Sequence, residues 1–414
     1  MNTNNSQYLE EPNCQTKLFI LKGKIQKYDW GGSYYIKDLL GLEYKSMKCA
    51  EYWLGAHLKS PSILLTTNSN QNLNDFIKLN LHESLGKDIA EKFGRLPFLL
   101  KVLDVHNMLS IQVHPTKLEA EKGFKCENEL DIPLNAPNRN YKDDNHKPEI
   151  MVALTEFWLL HGFLPKKELV QRLKETDEFK RLIPIFESKG YFGLYKTVME
   201  QSIEESNHML APLVNRIMPL YLAGQLDKSN PDYWAAKAVD SSIDKNIIDK
   251  GIYSIYFFNI VKVNKGEAVF QGAGVPHAYL EGQNIELMAN SDNVLRGGLT
   301  TKYIDVPELL KHVVFKETIP NIMIGELQKD GLERVYKTSI KDFELSRISI
   351  PNSNDYSGIA KTAQILIVME GQLKIIEGIY SLKLRKGDSV FLKATSNYKI
   401  LSLVSSVLYK ATAS

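Results

Sequence analysis

Cysteine is scarce. The 414 residues contain three, Cys14, Cys49 and Cys126, odd in number and far apart. They lack the close pairing of a thiolate zinc site or of a disulfide framework, so the three are expected to be free thiols. An excess of one charge is also missing: 51 Lys and Arg face 49 Asp and Glu, for a net charge of +2. No like-charge block could act as an arm for nucleic acid. Long apolar runs are absent too, since nothing approaches the ~18 residues of a membrane span. Met1 to Gln7 lacks the cationic start and apolar stretch of a secretory signal. The expectation is a soluble cytoplasmic protein with no nucleic-acid or membrane partner, monomeric or at most a weak homo-oligomer.

At 43% hydrophobic and 24% charged residues, the chain is ordinary globular material, long enough for roughly two to four domains. From Leu18 to about Thr67 short β-like runs are punctuated by Gly31-Gly32 and Ser60-Pro61-Ser62, and a helix-like stretch follows from Leu73 to Phe93. Pro97 to Leu103 is nearly all apolar and suits a strand buried on both faces. Helical periodicity then governs 165–247, as in Leu169, Leu173, Ile217, Leu220, Ala235 and Ala236. Strands return at Ile252 to Val263 and at Gly266 to Phe270, and Gly272 to Pro276 forces a turn before His277. Beyond Glu317 at least four more strand candidates follow, with Gly371, Gly378 and Gly387-Asp388 at the turns. Such rhythm predicts an antiparallel barrel or jelly roll of the cupin type. The fold expectation is mainly β with an α insertion: two cupin-type barrels and an all-helical segment.

The chemistry gathers in three places. Leu109 to His114 alternates, so a strand would put Ser110, Gln112 and His114 on one face and Leu109, Ile111 and Val113 on the other. Gln112 and His114 can converge on one metal ion, because zinc accepts imidazole nitrogen and carbonyl or carboxylate oxygen. Taken alone, an exposed strand face is the better account of that pair. Asp143 to Ile150 packs carboxylates, His146, Lys147 and Glu149 ahead of an apolar run, and in isolation reads as a solvated loop. The third place runs from Pro276-His277 through Glu286 and Arg296 to Lys302. A carboxylate, a guanidinium and an ammonium near a metal suit a phosphorylated, proton-transferring substrate. His57 and His161 sit among apolar neighbours and read as core or strand residues rather than ligands, and Trp53 and Trp158 as packing.

Leu109 to Lys117, Asn145 to Glu149, and Glu286 to Arg296 closely resemble the signature segments of type I mannose-6-phosphate isomerases. Tyr28-Asp29-Trp30-Gly31 and Ala50 to His57 resemble that family in the same order, so the likeness runs from about residue 18 to 315. It implies a sugar-phosphate substrate and one Zn2+ held by Gln112, His114, Glu149 and His277. It also implies substrate contacts by Arg296, Ser110 and Lys302, Lys147 near the metal, and Trp30 at the cavity wall. On this reading 1–164 and 248–316 form the zinc-binding catalytic domain, 165–247 a helical domain, and 317–414 a C-terminal cupin-like β domain. After the arginine, Gly297-Gly298 and Thr300-Thr301-Lys302 stand where the family commonly has Ala-Gly and Thr-Pro-Lys. Loss of that proline predicts a looser loop.

The implied reaction moves a proton between C2 and C1 of mannose 6-phosphate through a cis-enediol, giving fructose 6-phosphate. Glu286 is the expected base, because Ile285, Leu287 and Met288 around it would desolvate its carboxylate. Lys147, His146 and a zinc-bound water are the rivals. An iron-dependent cupin dioxygenase and a silent sugar-phosphate-binding cupin are the alternative functions. Gln112 and the Arg296 segment speak against the first, and the full set of ligand residue types against the second.

Overall fold

The computed structural model describes residues 16–43, 47–66, 70–244 and 246–414. The readings of Met1 to Gln7 and of Cys14 lie outside these residues. Cys49 is a buried free thiol and Cys126 an exposed one. The chain is mainly β, with two sheets and a set of helices. It forms two compact units, one of residues 1–104, 285–290 and 323–414, the other of 105–284 and 291–322.

In the first unit an eleven-stranded sheet runs in the order Glu326–Leu327, Glu333–Tyr336, Glu344–Ile350, Ser396–Thr412, Gln364–Glu377, Ser389–Leu392, Leu18–Lys22, Ile63–Leu65, Asn70–Asn72. Asp355–Ala360 and Tyr380–Arg385 pair off this path. Leu18 to Leu21 lies antiparallel to Leu392 to Ser389, so the start of the described chain and its last strands share one ladder. That pairing puts Leu18–Lys22 in one sheet with the strands of 323–414. The two strands expected at Gln364 to Val368 and Gln372 to Ile376 are one, Gln364–Glu377, whose register shifts around Gly371. Gly371 has φ +88, a conformation that suits glycine. The helix expected over Leu73 to Phe93 is three short helices, Leu73–Leu79, Leu81–Leu85 and Lys87–Phe93, interrupted at Asn80 and at Gly86. Phe98–Val105 is a strand whose eight residues are all buried, Lys101 and Asp104 among them.

The second unit combines strands and helices around one apolar core. Ile111 and Val113 from the Gln112–Val113 strand, and Leu160 and Phe163 from Phe157–Phe163, meet Leu169, Leu173, Leu194, Leu213, Ile217 and Trp234 from the helical segment. The helices therefore pack on the apolar face of the strand that carries Gln112. Ile252 to Phe257, expected as strand, is the helix Gly251–Phe257, and the strand begins only at Phe258. A short, wholly apolar run carries no period that separates the two states. No helix among the described residues is long and apolar enough to cross a membrane.

Candidate metal centre

Alternation along the chain sets the first side chains. With Ile111 and Val113 in the core, Gln112 and His114 turn to the opposite face. Glu149 opens the strand Glu149–Ala153, and His277 opens His277–Ala289 after a turn in which Gly274 has φ +75. Gln112 is in register with His277 on one side and with Arg296 on the other.

His114, Glu149 and His277 are buried, and one donor atom from each lies within 4.8 Å of the others. His114 Nε2 is 3.4 Å and His277 Nε2 3.5 Å from the Glu149 carboxylate. Each imidazole is oriented from behind: His114 Nδ1–H donates to the Asn293 carbonyl at 3.0 Å, and His277 Nδ1–H to the Val275 carbonyl at 2.9 Å. A carbonyl can only accept, so the proton is fixed on Nδ1 and the Nε2 lone pair is free to ligate. His114 Nε2 is buried without a hydrogen-bond partner. Burial above all, with Lys147 and His277 adding to it against the pull of Glu149, brings the His114 pKa down to about 4. The imidazole is therefore neutral and available as a ligand near pH 7. Burial pushes Glu149 up, but Lys147, whose Nζ is 3.0 Å away, and His114 outweigh it and hold the carboxyl well below its usual range. Two lone pairs and a carboxylate facing one another across a few ångströms fit a divalent cation.

The polar run after Glu286 proves to be a clasp. Asn293 Nδ2 donates to the carbonyls of Asp143 and Asn145 at 2.7 and 2.8 Å, and its Oδ1 accepts from the Lys142 amide at 2.7 Å. Ser291 Oγ donates to Asp143 Oδ1, and the Asp292 amide to Asp143 Oδ2, both at 2.7 Å. The segment leading to Glu149 is thus tied to the one whose carbonyl orients His114.

Arg296 and Lys302 lie in the same unit as the metal group. Burial lowers the pKa of Arg296; Lys302 is exposed, and its pKa is lowered by partial desolvation and by the charge of Arg296. Neither side chain is matched by an acidic partner among the described residues. Two such cations near one another leave positive charge for an anionic ligand. Ser110 is half-buried in this unit.

Glu286 and Trp30 belong to the first unit. Trp30 stacks on Tyr28, with ring centroids 5.8 Å apart. Glu286 is buried, but only part of the apolar setting expected is on its face: Ile285 and Leu287 flank it along the strand and face the other way, whereas Met288 shares its face. Its Oε1 accepts from Lys101 Nζ at 2.8 Å, and Lys101 also lies 3.8 Å from Glu51 and over the Trp53 ring. Sequence reading missed Lys101, which is concealed inside an apolar run. His161 is buried in the strand Phe157–Phe163, as expected of a core or strand residue, and it stands opposite His277 in register, as Gln271 stands opposite Glu149.

A buried His-Glu-His group able to hold a metal, on a mainly β chain with two cations in the same unit that lack an acidic partner among the described residues, fits the class of metal-dependent proteins that take an anionic ligand. Residues 18–166 match the family model described as phosphomannose isomerase type I, catalytic domain. The mannose-6-phosphate isomerase of Escherichia coli K12 is 36% identical over 383 residues, covering 91% of this chain and 95% of that protein. The human one is 32% identical over 382 residues, covering 86% and 88%. The crystal structure of the Salmonella typhimurium enzyme bound to its substrate fructose 6-phosphate and to zinc has a TM-score of 0.85 at 33% identity, covering 96% of this chain and all of that one. The chain belongs to the type I mannose-6-phosphate isomerase family.

Proposed function

We propose that the chain interconverts D-mannose 6-phosphate and D-fructose 6-phosphate, with one zinc ion held by Gln112, His114, Glu149 and His277. The observation that carries the reading is the register of Arg296 with Gln112, which sets an unpaired guanidinium on the strand beside a buried His-Glu-His group. Zinc bound there would supply Lewis-acid polarisation of the sugar oxygens on C1 and C2.

The residues of the chain do the rest. The base takes the C2 proton while the C1 carbonyl oxygen gains one, giving a cis-enediol; the C2 oxygen then releases its proton as C1 receives one. Glu286 is the proposed base, with Lys101 orienting its carboxylate. Arg296 suits the developing enediolate, since its fork holds two oxygens at once. Lys302 and Ser110 take the phosphate, Lys147 steadies the charge of Glu149, and Trp30 forms a wall for the sugar. The two strand systems are proposed to be cupin-type jelly rolls.

The test is mannose 6-phosphate deuterated at C2. Transfer of part of the label to C1 of fructose 6-phosphate is expected, and a product with no label at C1 under rapid, single-turnover conditions speaks against a shuttling base. Arg296→Ala is expected to lower kcat by about a hundredfold or more with zinc content unchanged, and full activity in that variant overturns its role.

A further inference from the structure

The segment after Arg296 carries a conformational oddity. Leu299 has φ +53, the left-handed region, which is unfavourable for a side-chain-bearing residue and persists only when its surroundings enforce it. Just before it, Gly298 has φ +125, and a Cβ there would lie 2.4 Å from Gly251 Cα. A Cβ on Gly251 would in turn lie 2.5 Å from the Leu299 amide nitrogen. Two stretches of backbone are therefore in direct contact at a point where only glycine fits.

The group that holds them together is Asp249. Its Oδ1 accepts from the Gly251 amide at 2.6 Å and from the Leu299 amide at 2.7 Å, and its Oδ2 accepts from the Thr300 amide at 2.9 Å. Thr300 Oγ1 then accepts from the Lys302 amide at 3.1 Å. On the other side Gly297 donates to the Ile111 carbonyl at 2.8 Å and Gly298 accepts from the Ile111 amide at 2.9 Å. The segment is thus tied at one end to the strand of Gln112 and at the other, through Asp249, to the start of the buried helix Gly251–Phe257.

We propose that Asp249 is a positioning residue for the reaction: its carboxylate fixes the backbone of 298–300 and so sets where Lys302 meets the substrate's phosphate. Charge-assisted bonds to three amides do here what a turn proline would otherwise do. The proposal rests on Lys302 being a phosphate contact, as given above.

The test compares Asp249→Ala, Asp249→Asn and Lys302→Ala, each as the full-length zinc-loaded chain, using mannose 6-phosphate turnover and competitive inhibition by inorganic phosphate. Asp249→Ala is expected to raise KM about tenfold and to weaken phosphate inhibition in parallel, with kcat within about threefold and zinc content unchanged. Asp249→Asn keeps the Oδ1 acceptor and is expected to raise KM by about threefold, so it decides the matter if the alanine variant fails to fold. A lowered thermal midpoint with wild-type KM and wild-type phosphate inhibition in the asparagine variant overturns the proposal and leaves Asp249 a merely structural residue. Wild-type KM in Lys302→Ala overturns instead the phosphate reading on which it rests.

Discussion

At the scale of single residues, the imidazoles of the candidate metal group are held to one role. With Nδ1 of His114 and His277 committed to carbonyls, the Nε2 atoms face Glu149, whose charge Lys147 helps to maintain. Glu149→Gln preserves shape and removes the anion. It is expected to weaken zinc binding by about 100-fold or more in a chelator competition, and unchanged affinity would contradict its place among the ligands. His161 gives a pH prediction. Burial above all, with the imidazole of His277 nearby, brings its pKa from 6.5 to about 4. The folded state thus resists a proton that the unfolded chain takes up, so the stability it contributes is present above pH 6.5 and is lost as the pH falls toward 4. In the metal-depleted protein, His161→Phe is expected to flatten the decline of the thermal midpoint over that window. An unchanged slope would mean that His161 protonates freely in the fold.

Elements differ in how far the sequence declares them. The alternation of Ile111, Gln112, Val113 and His114 is local: Ile111 and Val113 do lie in the core, although the strand expected over Leu109 to His114 is only Gln112–Val113. Helix Gly251–Phe257 is not legible, because every one of its residues is buried and no polar face marks a period. The antiparallel match of Leu18 to Leu21 with Leu392 to Ser389 is a pairing across most of the chain's length, and periodicity says nothing about partners. That pairing has a measurable consequence. Leu18 and Leu21 are almost fully buried, and removing residues 1–22 would also strip one edge of the Ser389–Leu392 ladder. Burial of two leucines alone implies a fall in the unfolding midpoint of about 5 °C or more by calorimetry. An unaltered midpoint would show that the strand adds nothing to the first unit.

For the molecule as a whole, the candidate ligand segments read as ordinary strand face and loop one at a time, and only their ordered likeness to one family singled out His114, Glu149 and His277, which the fold brings together. The groups around them were not legible. Lys101 is hidden in an apolar run, Asp249 in a helical stretch, and Asn293 acts through a backbone carbonyl that no side-chain pattern reveals. The central claim is that the His114, Glu149 and His277 group holds the zinc on which sugar-phosphate isomerisation depends. It is tested most directly by assaying mannose 6-phosphate to fructose 6-phosphate conversion before chelation, after chelation, and after zinc is restored, with metal content measured at each stage. Turnover that falls with the metal and returns with about one zinc per chain is the predicted result. A chelated, metal-free protein that still isomerises at its original rate, or a zinc-loaded one that does not isomerise at all, would contradict it.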